Sequence, residues 1–284
     1  MNNPLLENWD TPFEIPPFDR IGPEHYRDAF NTAIEQHSAN IEEIASNDAV
    51  PTFQNTVEAM ELAGEALQKV SATFFNLSGS HTNPQLQEIE REMAPKLAAH
   101  HSQIMLNEAL FTRVDALFET QNSMALTPEQ KRVLERYHAS FVRSGARLEG
   151  EERAKISNIT QKLATLGTRF SQNVLADESD YELVLMTQAD LAGLPDFLIA
   201  AAASAAEERG HGGKHVITLS RSLIEPFLQF SDRRDLRERA FRAWIARGEN
   251  GGETDNREII IETLKLREDR AKLLGFETFA DFKL

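Results

Sequence analysis

The sequence predicts a mainly α protein: a bundle of long amphipathic antiparallel helices, with a small two-stranded β element around 181–187 and 214–220. Three observations carry that prediction. Apolar residues recur at spacings of three and four through most of the first 176 residues, the rhythm of helices that bury one face. Helix starts and stops are written in residue types, with Thr127-Pro128-Glu129-Gln130 as the fullest start and Gly210 and Gly275 as stops. Only at Tyr181 and again at Lys214 does the period shorten to that of strands. An apolar content of 41% over 284 residues is enough to fill a sizeable core.

Taken in order, the segment up to about Pro23 holds Pro4, Pro12, Pro16 and Pro17, each fixing φ and removing a donor, and is predicted as an extended arm before the first helix. From Thr52 onward, Met60, Ala63, Leu67, Val70, Phe74 and Leu77 predict one stripe on one helix. A turn at Ser78 to Asn83 leads to Pro84 and a long helix, which Pro95 should kink or split. Thr127 opens a helix carrying Leu134, Tyr137 and Phe141. After a break near Gly150, a second carries Ile156, Ile159, Leu163, Leu166, Phe170 and Val174, and the two are expected as antiparallel neighbours.

Tyr181 to Thr187 and Lys214 to Ser220 are predicted strands, separated by an alanine-rich helix from about Pro195 to Arg209. Ser231 and Asp232 open a further helix with Leu236, Ala240, Phe241 and Trp244, closed by Gly248 to Gly252. A last full helix runs from about Asp255 to Leu274, and Phe276 to Leu284 starts another element. Two domains are expected: 1–176, the arm and helical bundle, and 177–284, a hairpin-like β element with helices that begin a second half and stop short. No fixed-period repeat is present, which disfavours a solenoid.

Composition narrows the function classes. With 30 Lys and Arg against 45 Asp and Glu the formal charge is −15, which repels a phosphate backbone, so no nucleic acid partner is expected. Cysteine is absent, removing disulfides, thiolate metal sites and thiol nucleophiles. No basic patch precedes an apolar run at the start, and no stretch approaches the roughly 20 apolar residues of a membrane span. No membrane partner and a cytoplasmic location are expected.

A zinc peptidase of the H-E-x-x-H type sets two histidines four residues apart on a helix, with a glutamate between them to take a proton from the metal-bound water. His211-Gly212-Gly213-Lys214-His215 has the spacing, but Gly212 stands where the glutamate belongs and the glycines predict a turn. His100 and His101 are adjacent on a helix and diverge by about 100°, which suits a core-edge and a surface residue better than two ligands of one ion. His25, His37, His81 and His138 are isolated, and none is assigned as a ligand. The acid pairs Glu151-Glu152 and Glu207-Glu208 do not face one another on a helix and read as solvated faces. The phosphate-binding glycine motifs and G-x-S-x-G are absent, so no catalytic or metal residue is assigned. Substrate-binding residues are unknown, because groove-lining and solvated positions share one pattern on an amphipathic helix.

Pro16-Pro17-Phe18-Asp19-Arg20-Ile21 with Glu24-His25-Tyr26, Pro51-Thr52-Phe53-Gln54-Asn55-Thr56, and Ala94-Pro95-Lys96-Leu97 come in that order. They are followed by Ala192-Gly193-Leu194-Pro195, Phe241-Arg242-Ala243-Trp244, Arg267, and Ala271-Lys272-Leu273-Leu274-Gly275-Phe276. Together they resemble the amino-terminal half of the thimet-oligopeptidase and neurolysin family, most closely bacterial peptidyl-dipeptidases of the Dcp type. The resemblance implies a zinc-dependent parent that releases C-terminal dipeptides from short peptides in a channel between two helical halves. It implies too that the zinc motif and its downstream glutamate lie beyond Leu284, in a missing C-terminal catalytic half that is this chain's partner. This chain would form one wall of the channel, be inactive alone and self-associate through uncovered apolar surface. An endo-acting oligopeptidase of the same family, or a non-enzymatic helical peptide-binding module, is the alternative.

Overall fold

Proline sets the first boundary. In the computed structural model, which describes residues 3–284, Pro23 is the first residue of α1 (Pro23–Ala45), where its missing N–H costs no helical hydrogen bond. The preceding arm is irregular apart from a single turn at Pro12–Glu14. Leu5 pins it by complete burial, Asn3 Nδ2 donates to the His25 carbonyl at 2.8 Å, and Lys69 Nζ sits 3.9 Å above the Trp9 ring.

The single helix predicted after Thr52 is instead three pieces. A π-helical turn at Gln54–Glu58 runs into α2 (Ala59–Leu62), the chain extends at Ala63, and α3 (Glu65–Ser80) begins after Gly64. Gly64 has φ +77°, and a Cβ there would lie 2.9 Å from the His37 ring, so sterics as well as conformation require glycine. The break has a packing consequence. Met60 joins a core with Ile41, Val57, Leu110, Val114, Leu134 and Phe141, whereas Val70 and Phe74 join another with Leu5, Tyr26, Phe30, Ile89 and Met93. Phe74 is fully buried edge-on between Tyr26 and Phe30, at centroid distances of 5.0 and 5.3 Å. Burial of such a side chain stabilises by about 3 kcal/mol.

Asn83 caps α4 (Pro84–Met105) through its side chain, which accepts from the Leu86 amide at 2.9 Å. Pro95 lies inside α4 without splitting it, for α4 is one helix from end to end. Leu86, Ile89 and Met93 on one side of the proline and His100 and Ile104 on the other are all buried, and that packing outweighs one lost hydrogen bond. Asn107 caps α5 (Glu108–Thr120). The capping box forms as predicted at α6 (Pro128–Ser144), where Gln130 N donates to Thr127 Oγ1 at 3.2 Å and Thr127 N to Gln130 Oε1 at 3.0 Å. The expected pairing of this helix with the next is corrected: α6 packs chiefly on α5 and α4, and α7 (Gly150–Asp180) is not among its main partners. Phe111, 5.9 Å from Phe141, bridges α5 and α6 in its place.

Both strands fall inside their predicted windows, shortened to β1 (Leu183–Leu185) and β2 (His215–Ile217), antiparallel with Val184 opposite Val216. They support α8 (Asp196–Glu208), whose fully buried Ala202 and Ala206 allow it to lie close on β2. Gly193, at φ +82°, passes so near the Phe230 carbonyl that a Cβ would stand 2.4 Å away. α9 (Arg221–Phe230) carries Pro226 within it and has no counterpart among the predicted elements. Leu223, Ile224 and Phe227 nonetheless form a buried stripe against the same core as α10 (Arg234–Ile245). α11 (Arg257–Leu273) and α12 (Phe279–Lys283) end the chain, the latter capped by Thr278 and Asp281.

Two compact units result: Met1–Thr168 with Thr263–Leu284, and Arg169–Glu262. This partition follows packing, whereas a division at 176/177 follows the change of local period. Among the described residues, no helix is long and apolar enough to cross a membrane.

Candidate functional site

The break at Gly64 opens a groove in the first unit. His37 and Ile41 of α1, Met60 and Glu61 of α2, Leu67, Gln68 and Ser71 of α3, His101 and Ile104 of α4, and Tyr137 of α6 border a hollow of about 370 Å³. A second hollow of about 260 Å³ shares Glu61, Met105 and Tyr137 with it and adds Val133, Arg136 and Ser140. Ile41, Met60 and Ile104 belong to the inward stripes of their helices and make the floor apolar. The rim is polar because it holds the flanking helical positions. Tyr137 was legible only as one apolar position of α6. In the structure its hydroxyl bonds Glu61, and burial, followed by that bond and the Glu61 charge, raises its pKa well above the ordinary tyrosine range. No spacing in the sequence announces this pair, since its members lie on different helices.

Two histidines that the sequence treats separately are brought together at the groove's edge. His100 Nε2 is 3.0 Å from His37 Nδ1, the rings meet edge to face with centroids 4.9 Å apart, and His100 Nδ1 is 3.3 Å from Ser38 Oγ. Burial, then the charges of His37 and His101, lowers the His100 pKa from 6.5 to about 4, and burial also lowers that of His37. Both rings are neutral at pH 7, so one ring N–H donates to the other ring's lone pair. Ser38 lies within α1, where the neighbouring amides are already committed to helical hydrogen bonds. The trio therefore has no oxyanion cradle and is not arranged for acyl transfer. His101 is exposed beside the buried His100, matching the core-edge and surface division read from the sequence.

The remaining histidines stand apart from this pair. His138 Nε2 is 2.8 Å from Asp115 Oδ1 with its ring stacked 3.8 Å from Phe118, His25 Nδ1 accepts from the Gly22 amide at 2.9 Å, and His81 is exposed just after α3. His211 and His215 do not form a helical pair. His211 lies in the glycine turn with Nε2 2.8 Å from Glu182 Oε2, while His215 is in β2 opposite Leu185. A peptidase zinc takes three protein ligands and a water. Among the described residues, no group of three or more His, Asp or Glu side chains is placed to hold a metal. Glu151 and Glu152 are exposed, and Glu207 accepts from the Gly213 amide rather than facing Glu208.

In the second unit Asp177 organises the loop before α11. It accepts from Thr254 Oγ1 at 2.6 Å, from the Gly248 amide at 2.7 Å and from Asn250 Nδ2 at 2.8 Å. Burial raises its pKa, but these three donors outweigh burial and hold the carboxyl below the usual carboxylate range. The cluster is a clasp, with every donor already engaged by the chain itself.

The family model described as neurolysin/thimet oligopeptidase, N-terminal domain, matches residues 30–153, and that described as peptidase family M3 matches residues 227–284. Dipeptidyl carboxypeptidase of Escherichia coli K12 is 37% identical over 282 residues, covering 99% of this chain and 41% of its own length. The enzyme of the same name from Salmonella typhimurium is 36% identical over 282 residues, covering 99% and 42%. Oligopeptidase A of Escherichia coli K12 is 30% identical over 284 residues, covering 99% and 41%. The chain thus spans about two fifths of the length of the curated relatives it matches. The chain thus carries a match to the neurolysin/thimet oligopeptidase N-terminal domain at residues 30–153 and a match to peptidase family M3 at residues 227–284.

Proposed function

We propose that this chain is the amino-terminal part of a zinc-dependent peptidyl-dipeptidase of the cytoplasm, which releases dipeptides from the C-termini of short peptides. The observation that carries the reading is the 37% identity, sustained over 282 residues, to a dipeptidyl carboxypeptidase. In this reading the chain supplies a wall of the peptide channel and is inactive alone, and the metal ligands are assigned to the remainder of the parent. Zinc, when bound there, supplies a Lewis acid and an activated water. The chain's own contribution is to bind and to restrict. Tyr137, Gln68 and Ser71 on the groove rim suit the N–H and C=O groups of an extended peptide, the floor of Ile41, Met60 and Ile104 suits its apolar side chains, and the surrounding helices exclude folded substrates.

A chimera tests this. The matching segment of the Escherichia coli dipeptidyl carboxypeptidase is exchanged for this chain, and the products from a blocked hexapeptide are identified by mass. Successive loss of C-terminal dipeptides supports the reading, and a folded, zinc-loaded chimera without turnover contradicts it. Internal cleavage instead would favour the endo-acting alternative, which rests on the 30% identity to oligopeptidase A.

A further inference from the structure

Phe282, only 2% exposed in α12, has two guanidinium groups on its ring. The guanidinium carbon of Arg143 lies 4.9 Å from the ring centroid and that of Arg270 lies 5.2 Å away. Lys283 Nζ is 5.4 Å from the same centroid, and Arg267 stands 5.3 Å over the neighbouring Phe279. Among the described residues, no carboxylate lies within 4.0 Å of any of these four cations. In a chain with 45 acidic and 30 basic residues that grouping runs against composition.

The two arginines differ in their surroundings: Arg143 is exposed and Arg270 is partly buried. Arg143 donates through Nη2 to the Phe282 carbonyl, whereas Arg270 Nε is buried without any partner. Burial, and then the like charge of Arg143, lowers the pKa of Arg270. Attraction to an aromatic face holds a cation without meeting its N–H groups. An anion between the two forks would meet them and remove the repulsion at once.

We propose that Arg143 and Arg270 form a binding site for a single carboxylate, gripped by the two guanidinium forks beside Phe282. A planar two-oxygen group matches the fork geometry. The overall charge of −15 disfavours multiply charged anions such as phosphate. The carboxylate comes either from a small free acid or from an Asp or Glu side chain on another polypeptide segment. A purely structural role, in which the arginines only fasten α12, is the competing account.

The test is a titration of the chain with sodium acetate at constant ionic strength, following the Nε–H resonances of Arg143 and Arg270 by NMR. The site predicts saturable movement of the Arg270 signal, with chloride at least about tenfold weaker because it cannot engage two forks. Arg143→Met should abolish it, and Arg143→Lys, which keeps the charge and loses the fork, should weaken it about tenfold. A short amidated peptide with one internal Asp distinguishes the sources: binding tighter than acetate identifies a protein side chain, and binding no tighter identifies a free acid. Absence of saturable movement, equal response to chloride, response to inorganic phosphate alone, or equal binding of the Asn version of the peptide would each overturn the proposal. The stability of Arg270→Met without anion gives a separate readout. Gain or no change is expected from loss of an unneutralised charge, whereas a marked loss supports the fastening role.

Discussion

His100 Nε2 stands 3.0 Å from His37 Nδ1, and this partly buried contact between α1 and α4 makes the first unit sensitive to acid. His100 titrates near 6.5 when unfolded and at about 4 when folded, so between those values the unfolded chain holds more protons. Stability is therefore lost as pH falls from about 6.5 toward about 4, by an amount on the order of 3 kcal/mol. His37, lowered in the same direction, adds to the loss. Urea unfolding at pH 7 and pH 5 measures it, and His100→Gln should flatten the difference.

Arg113 is 6% exposed, and it donates to Asn55 Oδ1 at 2.9 Å and to the carbonyls of Asn47 and Ala49 at 2.6 and 3.1 Å. Asn55 meanwhile donates to the Val50 carbonyl and accepts from the Thr52 amide. The Pro51-Thr52-Phe53-Gln54-Asn55-Thr56 segment is thus a fastening device for α1, α5 and the π-helical turn. Asn55→Ala should cost about 2–3 kcal/mol because it leaves part of a buried guanidinium unmet. An unchanged denaturation midpoint would refute that role.

Phe74→Ala should destabilise by about 3–5 kcal/mol through the cavity left between Tyr26 and Phe30. Phe241, at 46% exposure, should tolerate the same change within about 0.5 kcal/mol. The contrast between the two thermal shifts checks which aromatic residues form the core of this chain.

Ile260, Ile261 and Leu264 leave an apolar strip on α11 that is 43%, 59% and 59% exposed. The chain is expected to self-associate through it. Light scattering should show mass rising with concentration, and Ile261→Asp with Leu264→Asp should return a monomer.

How much of this was legible in the sequence varied with the range of the cause. Thr127 and Gln130 act across three residues, and their capping box was readable in full. The strand windows and the alanine helix were readable for the same reason. Gly64 was not, because the apolar stripe on either side of it keeps helical spacing while the two halves serve different cores. Pro226 inside α9 and Pro95 inside α4 show that buried packing on both sides carries a helix through a residue that local rules mark as a breaker. The groove was out of reach altogether, since His37, Glu61, Gln68 and Tyr137 come from four helices and only folding makes them neighbours.

The central claim, that this chain is a channel-forming part of a metallopeptidase rather than its catalytic centre, meets its most direct test in the purified chain itself. Zinc content and cleavage of a short peptide are measured before and after repurification from a zinc-containing buffer. The account predicts no stoichiometric zinc and no turnover. One equivalent of zinc, retained together with activity, would contradict it.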